Sequence, residues 1–273
     1  MDEQIIVVYC LCADLLRALH HHEDPQCAMN DAEVMTTAIV AMLSFSGNFE
    51  KSRRFLQEYG YIPQMLSKSR FNRRLHRIED LFLACFNTLA ELWKALNAES
   101  VYVLDSFPIA VCDNYRIQRN HIYQRDEAYR GYIASKKRFF YGVRIHLLVT
   151  EQGEPVEFFL LPGRVADVEA LDSYRFDLPD GSTIYGDGAY NDHETESLLH
   201  EAHLHLLPKR KKNMHDQFPG WVRFLQDHYR KRIETAGSLI ERILPKSIHA
   251  VTAKGFELKV ALFVLALSLH CLP

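Results

Sequence analysis

Three carboxylates stand where carboxylates are costly: Asp105 in VYVLDSFPIAV, Asp187 in STIYGDGAY and Glu234 in YRKRIETAGSLIERI. Two lie in or after apolar runs of buried-strand type, and the third falls within a helical pattern. A carboxylate withdrawn from water must be paired, hydrogen-bonded or bound to a metal. A pair of Mg²⁺ ions would gather all three, because hard oxygen donors suit that cation. Two such ions about 3.5–4 Å apart activate a nucleophile and stabilise the leaving oxygen of a phosphodiester. Taken singly, each residue has a plainer reading. Asp105 could be a loop-end cap, and Asp187 in Gly186–Asp187–Gly188 a turn residue. Glu234 could form a solvated i,i+4 pair with Arg230, worth roughly a few tenths of a kcal/mol. Ile233, Ala236, Ile240, Ile243 and Leu244 share one helix face, whereas Arg230, Glu234 and Glu241 fall on another.

The elements that must position these residues change in texture along the chain. Residues 1 to about 95 show helical periodicity without convincing strands. Ile5, Val8, Leu11, Leu15 and Leu19 step along one face until the polar stretch from His20 to Asp24 and Pro25 interrupts them. A second helix is expected from Asn30 or Asp31, with Glu33 suited to its first turn, and runs to Gly47. The segment from Phe82 to Leu96 is again helical. From Val101 the chain is rich in β-branched and aromatic residues: VYVLDSFPIAV, FFYGVRIHLLVT and EPVEFFLLP read as strands, the latter two joined by a hairpin at Glu151–Glu154. A short helix follows over about 167–174, with Asp167 expected to cap it. STIYGD is another strand. Asn191 to Ala202 reads as a helix whose cap is expected to be Asn191 with Glu194. HLHLLP is the last strand, and helical character returns from Gly220. The composition shift places a boundary near residues 96–100, giving 1–97 as a helical region and 98–273 as an α/β domain with terminal helices.

Bulk properties exclude little. The chain has 273 residues, 48% hydrophobic, and a formal net charge of −3, so any nucleic-acid signal must lie in how charge is distributed. Six scattered cysteines show neither CxxC pairing nor zinc spacing and read as reduced thiols. The acidic start MDEQII is unlike a signal peptide. The apolar run Val260–Leu269 is too short for a bilayer and is expected to be a core helix. Cytoplasmic location and no membrane contact follow as expectations. His146 alternates with apolar strand residues and reads as a hydrogen-bonded core histidine, and His20–His22 as a polar loop.

The order and content of several blocks resemble a known family. LDSFPIAVC (Leu104–Cys112), GYIASKKRFFYGVRIHLLVTEQGEPVEFFLLPG (Gly131–Gly163), IYGDGAY (Ile184–Tyr190), RIET (Arg232–Thr235) and PKSIHAVTAKGFELKVALFVLA (Pro245–Ala266) are similar to DDE transposases, nearest the insertion-sequence 982 family. The resemblance implies an α/β fold with a ribonuclease H-like mixed β-sheet flanked by helices, behind an α-helical N-terminal domain. It implies Mg²⁺-dependent, or Mn²⁺-dependent, cleavage and joining of DNA strands, with Asp105, Asp187 and Glu234 as catalytic metal ligands. It also implies double-stranded DNA partners (terminal inverted repeats and target) and a homodimer in the DNA complex. Related families often carry Tyr, Arg, Glu and Lys in that order on the last catalytic helix. Here Arg230 fits, but Asp227 replaces the Tyr and Glu241 the Lys, which makes Glu241 the alternative third ligand. A metal-dependent nuclease that does not transpose would need the same carboxylates, and an inactive DNA-binding remnant would keep only the basic helix.

Candidate phosphate contacts form three clusters. Residues 51–77 hold eight basic residues against Glu58 alone, and Arg70, Arg73, Arg74 and Arg77 share one face of a predicted helix. Such a face is either solvated or set against phosphates, in the manner of a helix-turn-helix unit. Lys136 and Lys137, with Arg138, precede the second strand. Lys209 and Arg210, with Lys211 and Lys212, follow the last, where Lys209 could meet a phosphate.

Overall fold

The computed structural model describes residues 1–112, 114–134, 136–210, 214–229, 244–245 and 248–272. The chain forms two compact units. One comprises Met1–Leu89, Ile240–Ala250 and Lys254–Pro273, and the other Ala90–Leu239 with Val251–Ala253. The terminal residues therefore rejoin the N-terminal helices, whereas the composition shift alone assigns everything after residue 97 to one domain.

The first unit is helical: α1 (Asp2–Ala18), α2 (Asp31–Phe45), α3 (Phe49–Glu58), α4 (Lys68–Arg77), the first part of α5 (Glu79–Leu96) and α8 (Ala253–His270). Helix α2 starts where Asn30 accepts from the Glu33 backbone N–H at 2.8 Å and Glu33 accepts from that of Asn30 at 2.7 Å. This reciprocal cap satisfies two donors that a helix start would otherwise orphan. Along α2, Val34, Met35, Ala38, Ile39, Val40, Ala41 and Met42 are all buried. A helix apolar on every side must sit inside a bundle. The same holds for α8, where Val260 and Leu262–Leu269 are buried, as the apolar run predicts. Gly47, at φ +77°, lets the chain turn against this helix, since a Cβ there would come 2.9 Å from the Phe263 ring.

The second unit is built on a six-stranded mixed sheet: β1 (Val101–Cys112), β2 (Arg130–Ile133), β3 (Arg138–Thr150), β4 (Pro155–Pro162), β5 (Thr183–Gly186) and β6 (His205–Pro208). The order is β2-β3-β1-β5-β6, and β4 also pairs with β3. Strand β3 runs antiparallel to β1, β2 and β4, whereas β5 pairs parallel with β1 and β6 parallel with β5. The β3–β4 hairpin closes at the expected residues, with the Thr150 N–H donating to Glu154 O at 2.9 Å. The register of β1 slips between Ala110 and Cys112 opposite Gly142. A Cβ on Gly142 would lie 2.1 Å from Ile109 O, so the close approach of the two backbones there requires glycine.

Helix α6 (His193–Glu201) precedes β6, and α7 occupies residues 220–229. Two local expectations are corrected here. Asp192, not Asn191, caps α6, accepting from both the backbone N–H and the hydroxyl of Thr195 at 3.0 and 2.5 Å. Asn191 instead donates to Gly188 O and Lys209 O. Asp167 does not cap the short 3₁₀ turn Glu169–Ser173, which begins after Val168 without a side-chain cap.

Candidate active site

Strands β1 and β5 pair in parallel with Val101 opposite Thr183, Tyr102 opposite Ile184 and Val103 opposite Tyr185. Continuing that register by two residues sets Asp105 opposite Asp187, whose backbone is still extended at φ −76° and ψ 178°. Strand β6 adds a third member. Gly186 pairs with Pro208, and the Lys209 N–H donates to Gly186 O at 2.9 Å, placing Lys209 beside Asp187. Because side chains alternate along a strand, in-register residues of parallel neighbours share a face. Asp105, Asp187 and Lys209 therefore form a row at the C-terminal end of the parallel strands. Ligand sites in open α/β sheets gather at such ends.

Helix α7 lies over this same face. Tyr229 stacks on Tyr185 with ring centroids 5.0 Å apart, and Asp227 receives the Lys209 ammonium at 2.7 Å. Gln226 donates to the carbonyls of Leu207 and Pro208, which fixes the helix against the end of β6. The position that departs from the Tyr of related families thus has a partner: Asp227 orients the lysine next to Asp187.

Asp105 is half-buried, and its Oδ1 accepts from the Ser106 N–H at 2.7 Å. Asp187 is exposed and accepts from the Ala189 N–H at 2.7 Å, which closes the turn after β5. Behind the row lies a second polar group. The Ser106 hydroxyl donates to Asp167 Oδ1 at 2.7 Å, and the Arg144 guanidinium stands 3.6 Å from the same oxygen. Burial, and after it the charges of Tyr174, Asp167 and Asp105, raises the Tyr190 hydroxyl pKa well above its usual value. His146, opposite Ser106 in the β1–β3 ladder, is fully buried and stacks on Phe159. It is the core histidine expected, but neither ring nitrogen has a hydrogen-bond partner. Burial first, then Arg144, push its pKa down to about 4.

Glu234, its alternative Glu241 and Arg230 lie outside the described residues, as do Lys211 and Lys212. Among the described residues no group of three or more His, Cys, Asp or Glu side chains is arranged to hold a metal. Two hard-oxygen donors of the expected set, Asp105 and Asp187, are brought to matching positions.

The candidate DNA contacts divide sharply. Arg70, Arg73 and Arg77 are exposed on α4. Arg74 is turned inward: it donates to Asp31 and Glu23 at 2.6 Å each and to Cys27 Sγ at 2.9 Å, with Asp31 also held by His21. It ties α4 to the start of α2, so its charge is already met inside the unit. Arg210 is likewise a structural residue. Its side chain is 4% exposed, forks onto Glu196 at 2.5 and 2.6 Å, reaches Asn191, and lies over the Phe218 ring. Bidentate pairing of this kind fixes both partners in plane. Lys136 and Lys137 are exposed at the β2–β3 turn.

The sequence expectation does not extend to residues 114–130, yet the basic segment begins there. From Asn114 to Phe139 the chain carries Arg116, Arg119, Arg125, Arg130, Lys136, Lys137 and Arg138 against only Asp126 and Glu127. All seven cations are exposed. Arginines interleaved with tyrosines were the available signal.

A mixed α/β sheet with paired carboxylates at the ends of adjacent parallel strands defines a class of hydrolytic and transfer sites. Residues 96–246, more than half of the chain, match the family described as "Transposase DDE domain". The chain belongs to that family, which implies polynucleotidyl transfer on DNA and, for the class, the use of divalent metal ions. The chain is also similar to a piggyBac transposase seen by cryo-electron microscopy in a synaptic complex with hairpin DNA. That likeness has 10% identity and a TM-score of 0.43 over 99% of this chain and 73% of the other. No curated protein sequence matches the chain. Among the described residues no helix is long and apolar enough to cross a membrane.

Proposed function

We propose that the chain is an insertion-sequence transposase of the 982 type with a ribonuclease H-like catalytic unit. In this reading Asp105 and Asp187 are the first two catalytic carboxylates and Glu234 completes the triad. The supporting observation is the register that sets Asp105 opposite Asp187, with Lys209 next in the row, inside a transposase DDE domain. The two carboxylates suit Mg²⁺ or Mn²⁺ by donor chemistry. When bound, such ions lower the pKa of water and neutralise charge on the leaving oxygen.

The rest falls to the chain's own side chains. Asp187 presents its carboxylate from a turn that its own Oδ1 closes. Asp105 is held by the Ser106 N–H, and Lys209 offers a cation to phosphate beside them. Arg70, Arg73, Arg77, Lys136, Lys137 and Arg230 contact DNA phosphates. The reaction is hydrolysis of a phosphodiester at a terminal inverted repeat, followed by in-line attack of the freed 3′-oxygen on target DNA. Joining two ends calls for two copies of the chain.

The test uses a linear duplex carrying the terminal repeat and a supercoiled target. Asp187→Asn should abolish both cleavage and strand transfer while the circular dichroism spectrum stays that of the parent. Undiminished cleavage by a folded Asp187→Asn protein would remove this site from the mechanism. Cleavage without any joined product in the parent would leave a nuclease instead.

A further inference from the structure

We infer that the β2–β3 hairpin is a stacking platform for unpaired bases of DNA that flanks the reacting phosphate. The inference rests on the reading of the chain as a DNA-processing enzyme, but it turns on two aromatic rings to which that reading gives no role. Tyr132 and Phe139 face each other across the two strands. Their ring centroids lie 4.9 Å apart, and the two residues remain 47% and 49% exposed. The Arg130 guanidinium lies 5.0 Å from the Phe139 centroid on the same hairpin. Lys136, Lys137 and Arg138 surround the pair, all exposed.

A cross-strand aromatic pair of this kind normally helps to hold a hairpin together, contributing roughly 0.2–1 kcal/mol. That role does not account for the setting. In a chain of formal net charge −3, residues 114–139 carry seven cations against two acids. Tyr115, 75% exposed with Arg116 5.2 Å from its ring, repeats the motif in the same segment. Cations that follow a sugar–phosphate backbone, combined with accessible aromatic faces and stacked arginine, are the means by which proteins hold single-stranded nucleic acid. Duplex DNA keeps its bases stacked on one another and offers such rings nothing beyond its phosphates.

The sheet also says where these bases would lie. Asp105 is opposite Leu147 on β3, and Phe139 is eight residues earlier on that strand. At about 3.4 Å per residue this is about 27 Å from the carboxylate row. The hairpin projects from the same end of the sheet, because β1 ascends toward Cys112 as β3 descends from Arg138. The platform therefore takes bases several nucleotides from the scissile phosphate, and the reacting nucleotide is not among them.

Fluorescence anisotropy of the full chain, without divalent metal, on a labelled 20-nucleotide single strand and on the matching duplex tests the inference. The double variant Tyr132→Leu/Phe139→Leu keeps apolar side chains on the hairpin but removes both ring faces. It should weaken single-strand binding by about fivefold or more and leave duplex binding within about twofold. Lys136→Gln/Lys137→Gln should weaken both alike and flatten the salt dependence. Equal losses on both DNA forms with the leucine variant, no loss at all, or a parent that does not bind the single strand would each overturn the platform. Cleavage of a terminal repeat by the parent is measured separately. The binding result thus stands whether or not the transposase reading holds.

Discussion

His146 offers the most direct check on the second unit. Its imidazole is buried in the sheet, stacks on Phe159, and has no hydrogen-bond partner for either nitrogen. Burial and the nearby Arg144 hold its pKa at about 4 rather than 6.5. The folded state therefore binds fewer protons than the unfolded chain between those two values. Stability from this group is fully present above pH 6.5 and is lost as pH falls toward 4. For one site the lost stabilisation is RT ln of the ratio of the unfolded to the folded binding polynomial. That is near zero at pH 7.5 and about 2.5 kcal/mol at pH 4.5. Other carboxylates titrate in the same window, so the measurement is a difference between proteins. His146→Phe keeps an aromatic ring against Phe159 and cannot take up a proton. Its stability at neutral pH mixes the relief of two orphaned nitrogens with a tighter fit, and it decides nothing. The pH dependence does. Both tryptophans, Trp93 and Trp221, belong to the second unit, so urea unfolding followed by tryptophan fluorescence reports on that unit. The stability of His146→Phe relative to the parent should rise by about 2.5 kcal/mol from pH 7.5 to 4.5. Parallel curves, within about 0.5 kcal/mol, would show that the ring either keeps its proton or has a polar partner, and would refute the burial argument.

The inward and outward arginines of α4 should separate cleanly. Arg74→Met takes the guanidinium from Asp31, which is 3% exposed and keeps His21, and is expected to destabilise the helical unit by about 3 kcal/mol in thermal unfolding. Arg77→Ala should leave stability within about 0.5 kcal/mol but lower the salt slope of DNA affinity by about one. The neighbours after β6 should behave in the same way. The Lys209–Asp227 ion pair is exposed, so Lys209→Met should cost under about 1 kcal/mol of stability while slowing strand cleavage. Arg210→Met leaves Glu196 unpaired in a part-buried site and should lower stability by about 3 kcal/mol in the same urea experiment. A Lys209→Met protein that cleaves at the parent rate would detach this lysine from the site.

What the sequence reveals here is what is local. Runs of apolar, β-branched and aromatic residues mark β1, β3, β4 and β5, and β3, buried along nearly its whole length, is the plainest of them. The EQGE turn closes where its glycine allows, and α8 is a core helix because no face of it is polar. Where two residues can do one local job, the pattern is ambiguous by a single position: Asn191 and Asp192 can each cap α6, and the latter prevails by also taking the Thr195 hydroxyl. Strand β2 escapes notice because RGYI is short, contains glycine and lies at the sheet edge, where alternation carries little information. The fate of Arg74 is illegible for a different reason. Its partners Asp31 and Glu23 are 43 and 51 residues away, and no helical wheel brings them into view.

The same distinction governs the candidate site. Composition alone makes Asp105 and Asp187 conspicuous, since each ends or interrupts an apolar strand, but their relation depends on an offset between β1 and β5 that only the folded sheet sets. A slip of one residue would turn one carboxylate to the opposite face. That offset is held by the ladder of Val101–Val103 against Thr183–Tyr185, residues with no chemical role of their own, and the Lys209 N–H on Gly186 O then sets β6 beside β5. Because Lys209 and Arg210 are adjacent on an extended chain, the strand that delivers a cation to the row must deliver the next one to the other side. There Glu196 and Asn191 take it up and anchor the turn. A basic run that looks uniform in sequence is thus divided by the pleat into one residue placed for chemistry and one that holds it in place.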